Sequence, residues 1–170
     1  MPAARLAATA LLGLSLSAHA APASQALAGA VPEPVTDKPV IRISPFTYHF
    51  AHYSDHKPVV AVGLEVPLKE PGDFIGASFF SNSFGQPSVY LYYGSKYVRP
   101  FGWERTYWHL TAGIMYGYVE PYEHKVPFNS HGFAPAIVPS MGYQLTRRSA
   151  VELSMLGFAG VMVSYVKTLD

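Results

Sequence analysis

The sequence contains no cysteine, so no disulfide holds any part of it. Small exported domains usually depend on such bridges because their cores are small; this chain must be stabilised by other means. Charge is scarce too. Only 14% of its 170 residues are Asp, Glu, Lys or Arg, and they cancel to a formal net charge of +1. A nucleic-acid binder would carry a basic face, and no nucleic-acid partner is expected. Beyond the first residues, no apolar run reaches the ~20 residues that a membrane-crossing helix needs. There is no helical HExxH pair and no Cys/His spacing suited to zinc, so neither metal nor cofactor is expected.

Aromatic residues are plentiful instead, at 14% of the chain with 12 Tyr. One architecture combines high aromatic content, low charge and no spanning helix. It is the antiparallel transmembrane β-barrel, whose alternating strands hide their apolar face from any sliding window.

The opening MPAARLAATALLGLSLSAHA reads as a secretory signal. Arg5 is the positive start, Leu6 to Leu16 form the apolar stretch, and Ala18-His19-Ala20 is a small-x-small cleavage site. Ala21 to Pro39 is rich in Ala and Pro without periodicity, and is expected to be a flexible lead-in. One domain remains, over residues 40–170.

That domain divides into eight runs: Val40–His52, Val59–Pro67, Asp73–Ser81, Ser88–Tyr97, Tyr107–Tyr118, Gly132–Leu145, Ala150–Leu156 and Gly160–Lys167. The separators SDHKP, KEPGD, NSFGQP, RPFGWE, EPYEHKVPFNSHG, TRRS and GFAG carry turn chemistry. Within the runs, residues alternate. Val60, Val62, Leu64 and Val66 oppose Ala61, Gly63 and Glu65; Trp108, Leu110, Ala112 and Ile114 oppose His109, Thr111 and Gly113; Val151, Leu153 and Met155 oppose Glu152 and Ser154. One face is bulky and apolar with aromatics near its ends, as a lipid-facing exterior requires. A soluble sandwich or lipocalin-like barrel alternates equally well, but needs more charge on its outer face to stay dissolved.

With eight strands and both termini in the periplasm, SDHKP, NSFGQP, EPYEHKVPFNSHG and GFAG lie outside the cell, and the short KEPGD and TRRS turns lie inside. This assignment brings the end of the first strand, with His49 and His52, to the same rim as the polar interruption Ser81-Asn82-Ser83. A hydroxyl needs a base within reach, and His is the usual base near neutral pH. Asn82 or turn N–H groups could stabilise an oxyanion. The other reading is a rim that is polar only for solvation. The parity of His49 bears on this choice: it shares a face with Ile41 and Ile43 unless Pro45 introduces a bulge.

These residues resemble a family, the lipid A palmitoyltransferases of the PagP type, of which this chain would be a divergent member. Phe46-Thr47-Tyr48-His49 followed by Asp55 is similar to the family's first-strand Thr-Trp-His segment. Phe80-Ser81-Asn82-Ser83-Phe84 stands where the family has Asp-Ser after its third strand. Tyr92-Tyr93-Gly94 falls at its Gly-Tyr-Gly, and Trp108-His109-Leu110 with Thr111-Ala112-Gly113 is similar to its fifth strand. Pro135 to Pro139, then Met141-Gly142-Tyr143, is similar to its proline-flanked sixth strand. The resemblance implies a monomeric acyltransferase of the Gram-negative outer membrane, with its active site at the extracellular face. It would move a palmitoyl chain from the sn-1 position of a phospholipid to a hydroxyl of lipid A, remodelling lipopolysaccharide and conferring resistance to cationic antimicrobial peptides. It also implies His49, Asn82 and Ser83 as catalytic residues, and Gly94 as the floor of a pocket for the acyl chain. Asn82 replaces the family's ionisable Asp. The partly matched prolines are Pro45, Pro135 and Pro139.

Two other functions are weighed. A lipid A 3-O-deacylase is loosely echoed by His52-Tyr53-Ser54 with Glu65. A small barrel with a structural or adhesive role would need none of this chemistry.

Overall fold

The computed structural model describes residues 37–51 and 56–170. The expected signal sequence, most of the expected lead-in, and His52, Tyr53, Ser54 and Asp55 lie outside the described residues. Eight strands follow one another: β1 (Val40–His49), β2 (Ala61–Pro67), β3 (Asp73–Ser81), β4 (Pro87–Val98), β5 (Thr106–Tyr116), β6 (Phe133–Thr146), β7 (Ser149–Met155) and β8 (Gly160–Thr168). Each pairs antiparallel with the next, and β1 pairs with β8, so the sheet closes into a barrel. The expected strands are found with ends shifted by a few residues, because alternation and turn chemistry are both local signals. No helix among the described residues is long and apolar enough to cross a membrane.

The two faces segregate as the alternation requires. Val62, Leu64, Leu91, Trp108, Ile137 and Leu153 point outward and are exposed, whereas Arg42, Ser44, Glu65, His109, Glu152 and Ser164 point inward and are buried. Glycines let large side chains cross the narrow lumen. A Cβ on Gly142 would stand 2.2 Å from Cζ of Tyr107, and one on Gly76 would stand 2.6 Å from the ring of Tyr92.

The connections after β1, β3, β5 and β7 gather at one end, the loop end; the other three gather at the turn end. The turn half of the lumen is filled by an ionic cluster. Arg42 contacts Glu65 at 2.8 Å and Glu152 at 2.8 Å. Tyr92 donates to Glu65 at 3.3 Å, Tyr107 donates to Glu152 at 2.5 Å, and Nε2 of His109 lies 3.8 Å from Glu152. The Lys96 ammonium sits 4.8 Å above the Tyr107 ring. Two cations thus face two carboxylates, the condition under which buried charge is tolerated. Above this cluster the lumen lining turns apolar, with Phe80, Met115, Ala136 and Val138 packed against the rings of Phe74, Tyr90 and Tyr92. Inward-facing Ser78, Phe80, Met115, Ala136, Val138 and Met162 are only half-buried although the wall encloses them.

The wall itself is unzipped at two places at the loop end. The β1–β2 ladder stops at Ser44 opposite Ala61, while β1 continues alongside β8 to His49. The β6–β7 ladder stops at Ser140 opposite Ser154, while β6 continues alongside β5 to Phe133. Pro45, Pro135 and Pro139 fall in these unpaired stretches. A proline has no N–H to contribute to a ladder, and beside β6 the partner strand itself ends at Met155.

Candidate active site at the loop end

His49 reaches the lumen through a bulge. Ile43 faces Tyr165 and Phe46 faces Val163 on β8, so β1 spends one extra residue at Pro45. The slip inverts the parity of everything that follows. Phe46 and Tyr48 point outward and are exposed, while Thr47 and His49 turn inward and are half-buried.

The His49 ring packs on His56, with ring centroids 4.7 Å apart. His56 in turn meets Phe84 nearly edge-on at 5.4 Å. Lys57 completes the junction: its N–H donates to the carbonyl of Ser83 at 2.8 Å. Its side chain lies over Gly85, where φ is +83° and a Cβ would stand 2.7 Å from Lys57 Cδ. The end of the first strand and the β3–β4 turn thus meet at one corner of the rim, beside the β1–β2 seam.

Asn82 is fully buried and organises that turn. Its Oδ1 accepts from the N–H groups of Phe84 and Gln86, each at 3.0 Å. Its Nδ2 donates to Oε1 of Gln86 at 3.3 Å and to the carbonyl of Gly117 at 3.2 Å. Both amide atoms are occupied, and two of the contacts require a donor. A carboxylate could not make them. Gln86 extends the clamp, donating to the carbonyls of Val119 and Glu120 and accepting from the N–H of Val119. Ser81 is scaffold, its N–H bonded to the Val60 carbonyl at 3.3 Å.

Ser83 is also buried. Its side chain and backbone hydrogen-bond to the Tyr118 phenol, whose pKa burial raises even though those bonds pull the other way. Phe84 stacks on Tyr122 at 4.1 Å and meets Tyr118 edge-on at 6.2 Å. The long β5–β6 loop is therefore fastened over the turn. His56, Gln86, Tyr118 and Tyr122 are the site residues that motif reasoning overlooks. His56 sits in a turn rich in formers of turns, and the other three acquire meaning only from which loop folds onto which.

Gly94 stands elsewhere, opposite Phe74 between β3 and β4. A Cβ on it would lie 2.4 Å from the Phe74 ring and 2.9 Å from Cγ2 of Thr111. Phe74 thus covers Gly94, and its ring meets Tyr92 at 6.3 Å and His109 at 5.6 Å. Tyr92 stacks on Tyr90 at 4.7 Å. This aromatic layer separates the apolar-lined loop half of the lumen from the ionic half. Glu65, the carboxylate of the deacylase echo, lies below the layer and is held by Arg42. Among the described residues, no group of three or more His, Asp or Glu side chains could hold a metal ion.

Fold and site together define a class: a closed eight-stranded antiparallel β-barrel, apolar outside and ion-paired within, with a His/Ser corner at one rim. Comparison with protein-family models, with curated proteins and with solved structures finds no match to this chain.

Proposed function

We propose that this chain is an outer-membrane acyltransferase of the lipid A palmitoyltransferase type. It carries a palmitoyl chain from the sn-1 ester of a phospholipid to a hydroxyl of lipid A. The observation that carries this reading is the bulge at Pro45, which turns His49 inward and brings it, through His56, against the turn that holds Ser83. Two further features support it. The seams at β1–β2 and β6–β7 are lateral gaps through which a lipid can reach the lumen without passing through water, and the half-buried apolar lining of its loop half, with Phe80, Met115 and Val138, suits an acyl chain. The exposed apolar exterior is then the surface that the bilayer covers.

In the proposed reaction, the imidazole of His49 accepts the proton of the lipid A hydroxyl. The hydroxyl oxygen attacks the ester carbonyl carbon, forming a tetrahedral oxyanion. Ser83 Oγ–H turns from the Tyr118 phenol to donate to that oxyanion. Collapse breaks the bond to the glycerol oxygen, which takes the proton back from His49 and leaves as a lysophospholipid. Asn82 acts through the turn it shapes, binding the N–H groups of Phe84 and Gln86 and so holding Ser83 in place. Gly94 acts through Phe74: by admitting the ring, it sets the depth of the aromatic floor below the acyl chain.

Mass spectrometry of lipid A from cells with and without the gene tests the reading. A gain of one C16 chain is expected with the gene. His49→Ala and Ser83→Ala are each expected to reduce transfer about 10²- to 10⁴-fold while the barrel still assembles. Unchanged lipid A in the wild-type strain, or full activity in both variants, overturns the assignment; loss of an acyl chain selects the deacylase instead.

A further inference from the structure

The β4–β5 connection, Arg99 to Arg105, is built unlike the other turns at its end. The β6–β7 turn needs only Arg147 and Arg148, whereas this one displays Phe101 and Trp103, which are 79% and 54% exposed. Phe101 packs on Trp103 at 5.8 Å and on Trp108 at 6.0 Å. Trp108 is on the outward face of β5, so the aromatic cluster continues the apolar exterior of the barrel without a break.

The cluster is held firmly. The N–H of Arg99 donates to Thr106, that of Gly102 to Arg99 and that of Trp103 to Pro100, at 2.9, 3.0 and 3.1 Å. The Thr106 hydroxyl adds a bond to the Trp103 carbonyl at 2.9 Å. Arg99, Phe101 and Arg105 adopt left-handed backbone, with φ of 51°, 57° and 63°. Bulky residues rarely occupy that region. A turn that only reversed the chain in water would place Gly or Asn there.

Charge identifies what the cluster faces. Arg99 and Arg105 flank the aromatics, and the neighbouring β6–β7 turn, tied in by the Gln144 N–H on the Arg105 carbonyl at 2.7 Å, adds Arg147. Glu104 is the one acid within the connection. Indole rings favour the level of lipid headgroups, and arginines beside them attract anionic lipid. A soluble protein partner would be met by a surface set apart from the lipid-covered wall, and this one is continuous with it.

We infer that the Arg99–Arg105 turn is a lipid-binding knuckle that seats in the headgroup layer of the inner, periplasmic leaflet and selects anionic phospholipid. The inference rests on the membrane reading of the barrel, and the test separates the two. The chain has two tryptophans, and both belong to this cluster. Trp108→Phe leaves Trp103 as the reporter in the turn, and Trp103→Phe leaves Trp108 as the reporter on the wall.

Each full-length variant is reconstituted into phosphatidylcholine vesicles containing a minor share of lipid brominated near the headgroup or deep in the chain. The brominated lipid is either phosphatidylglycerol or phosphatidylcholine. Trp103 is expected to be quenched more by the shallow label than by the deep one, and several-fold more by brominated phosphatidylglycerol than by its phosphatidylcholine counterpart. Changing Arg99 and Arg105 together to Gln should erase the preference between headgroups while leaving the depth profile. Quenched Trp108 with unquenched Trp103 overturns the knuckle and leaves the membrane barrel standing. Equal quenching by both headgroups overturns the anionic selectivity. If neither tryptophan is quenched, the membrane reading falls and takes the knuckle with it.

Discussion

Asn82 is the residue at which chemistry and architecture are hardest to separate. It stands where the resemblance calls for a carboxylate, yet its amide makes two contacts that only a donor can make. Asn82→Asp would set a negative charge against the Gly117 carbonyl and leave a buried carboxylate oxygen without a donor, at a cost of about 1–3 kcal/mol. The expected outcome is a lower melting temperature and a slower transfer, not the gain that restoring an acid would bring if charge were needed. Thermal unfolding and an acyl-transfer assay on the same preparation measure both. Tyr118 provides a pH test. Its raised pKa means that the folded state holds the phenolic proton more tightly than the unfolded state. Its contribution is therefore complete below the ordinary tyrosine value of about 10 and is lost as pH rises beyond it. Unfolding monitored across the alkaline range should show a steeper loss for wild type than for Tyr118→Phe.

At the scale of elements, the strands that matter most are those that break their own pattern. β1 carries a bulge and β6 carries two prolines, and each borders a seam. Substituting both Pro135 and Pro139 by Val restores two N–H donors on β6. Of the two, only position 139 faces a strand residue, Met155 at the end of β7, so the expected effect is a modestly higher unfolding midpoint and a reduced rate of transfer from phospholipid. An unchanged rate with raised stability would show that substrate does not enter there. The glycines that admit large side chains give the opposite prediction. Gly142→Ala drives a methyl into the Tyr107 ring, and about 1–3 kcal/mol of overpacking cost is expected, read as a lower urea midpoint at unchanged slope.

Across the whole molecule, the division of the lumen into two halves is the organising feature. The ionic cluster and the aromatic layer close the turn half; the seams, the bulge and the half-buried apolar lining mark the loop half. Arg42 is the member shared by both ion pairs. Arg42→Met removes the one cation that contacts both Glu65 and Glu152, and removing one partner of a buried pair costs about 3–5 kcal/mol. The proposed rim chemistry is remote from that cluster, so on that reading folded Arg42→Met protein should retain acyl transfer at moderate temperature while unfolding earlier on heating. Circular dichroism and the lipid A assay together check this separation.

The strand count, the strand positions and the inward or outward sense of most residues were determined by the sequence alone. The reason is physical: a strand's period of two and the chemistry of its turns act over a few residues. Glu65, His109 and Glu152 already stood on the polar faces of their strands, so a charged interior could be read in outline. What only the tertiary structure decided was which of these groups meet. Arg42 reaches Glu65 on one neighbouring strand and, past β8, Glu152 on β7, because register and closure put them there. The same holds at the rim. Pro45 left two parities open for His49, and only its pairing with β8 chose the inward one. Asn82 read as a possible catalytic group because its role as a clamp depends on Gly117, thirty-five residues further on in the chain. Local periodicity cannot carry information over that separation; closure of the barrel and the fold of the β5–β6 loop supply it.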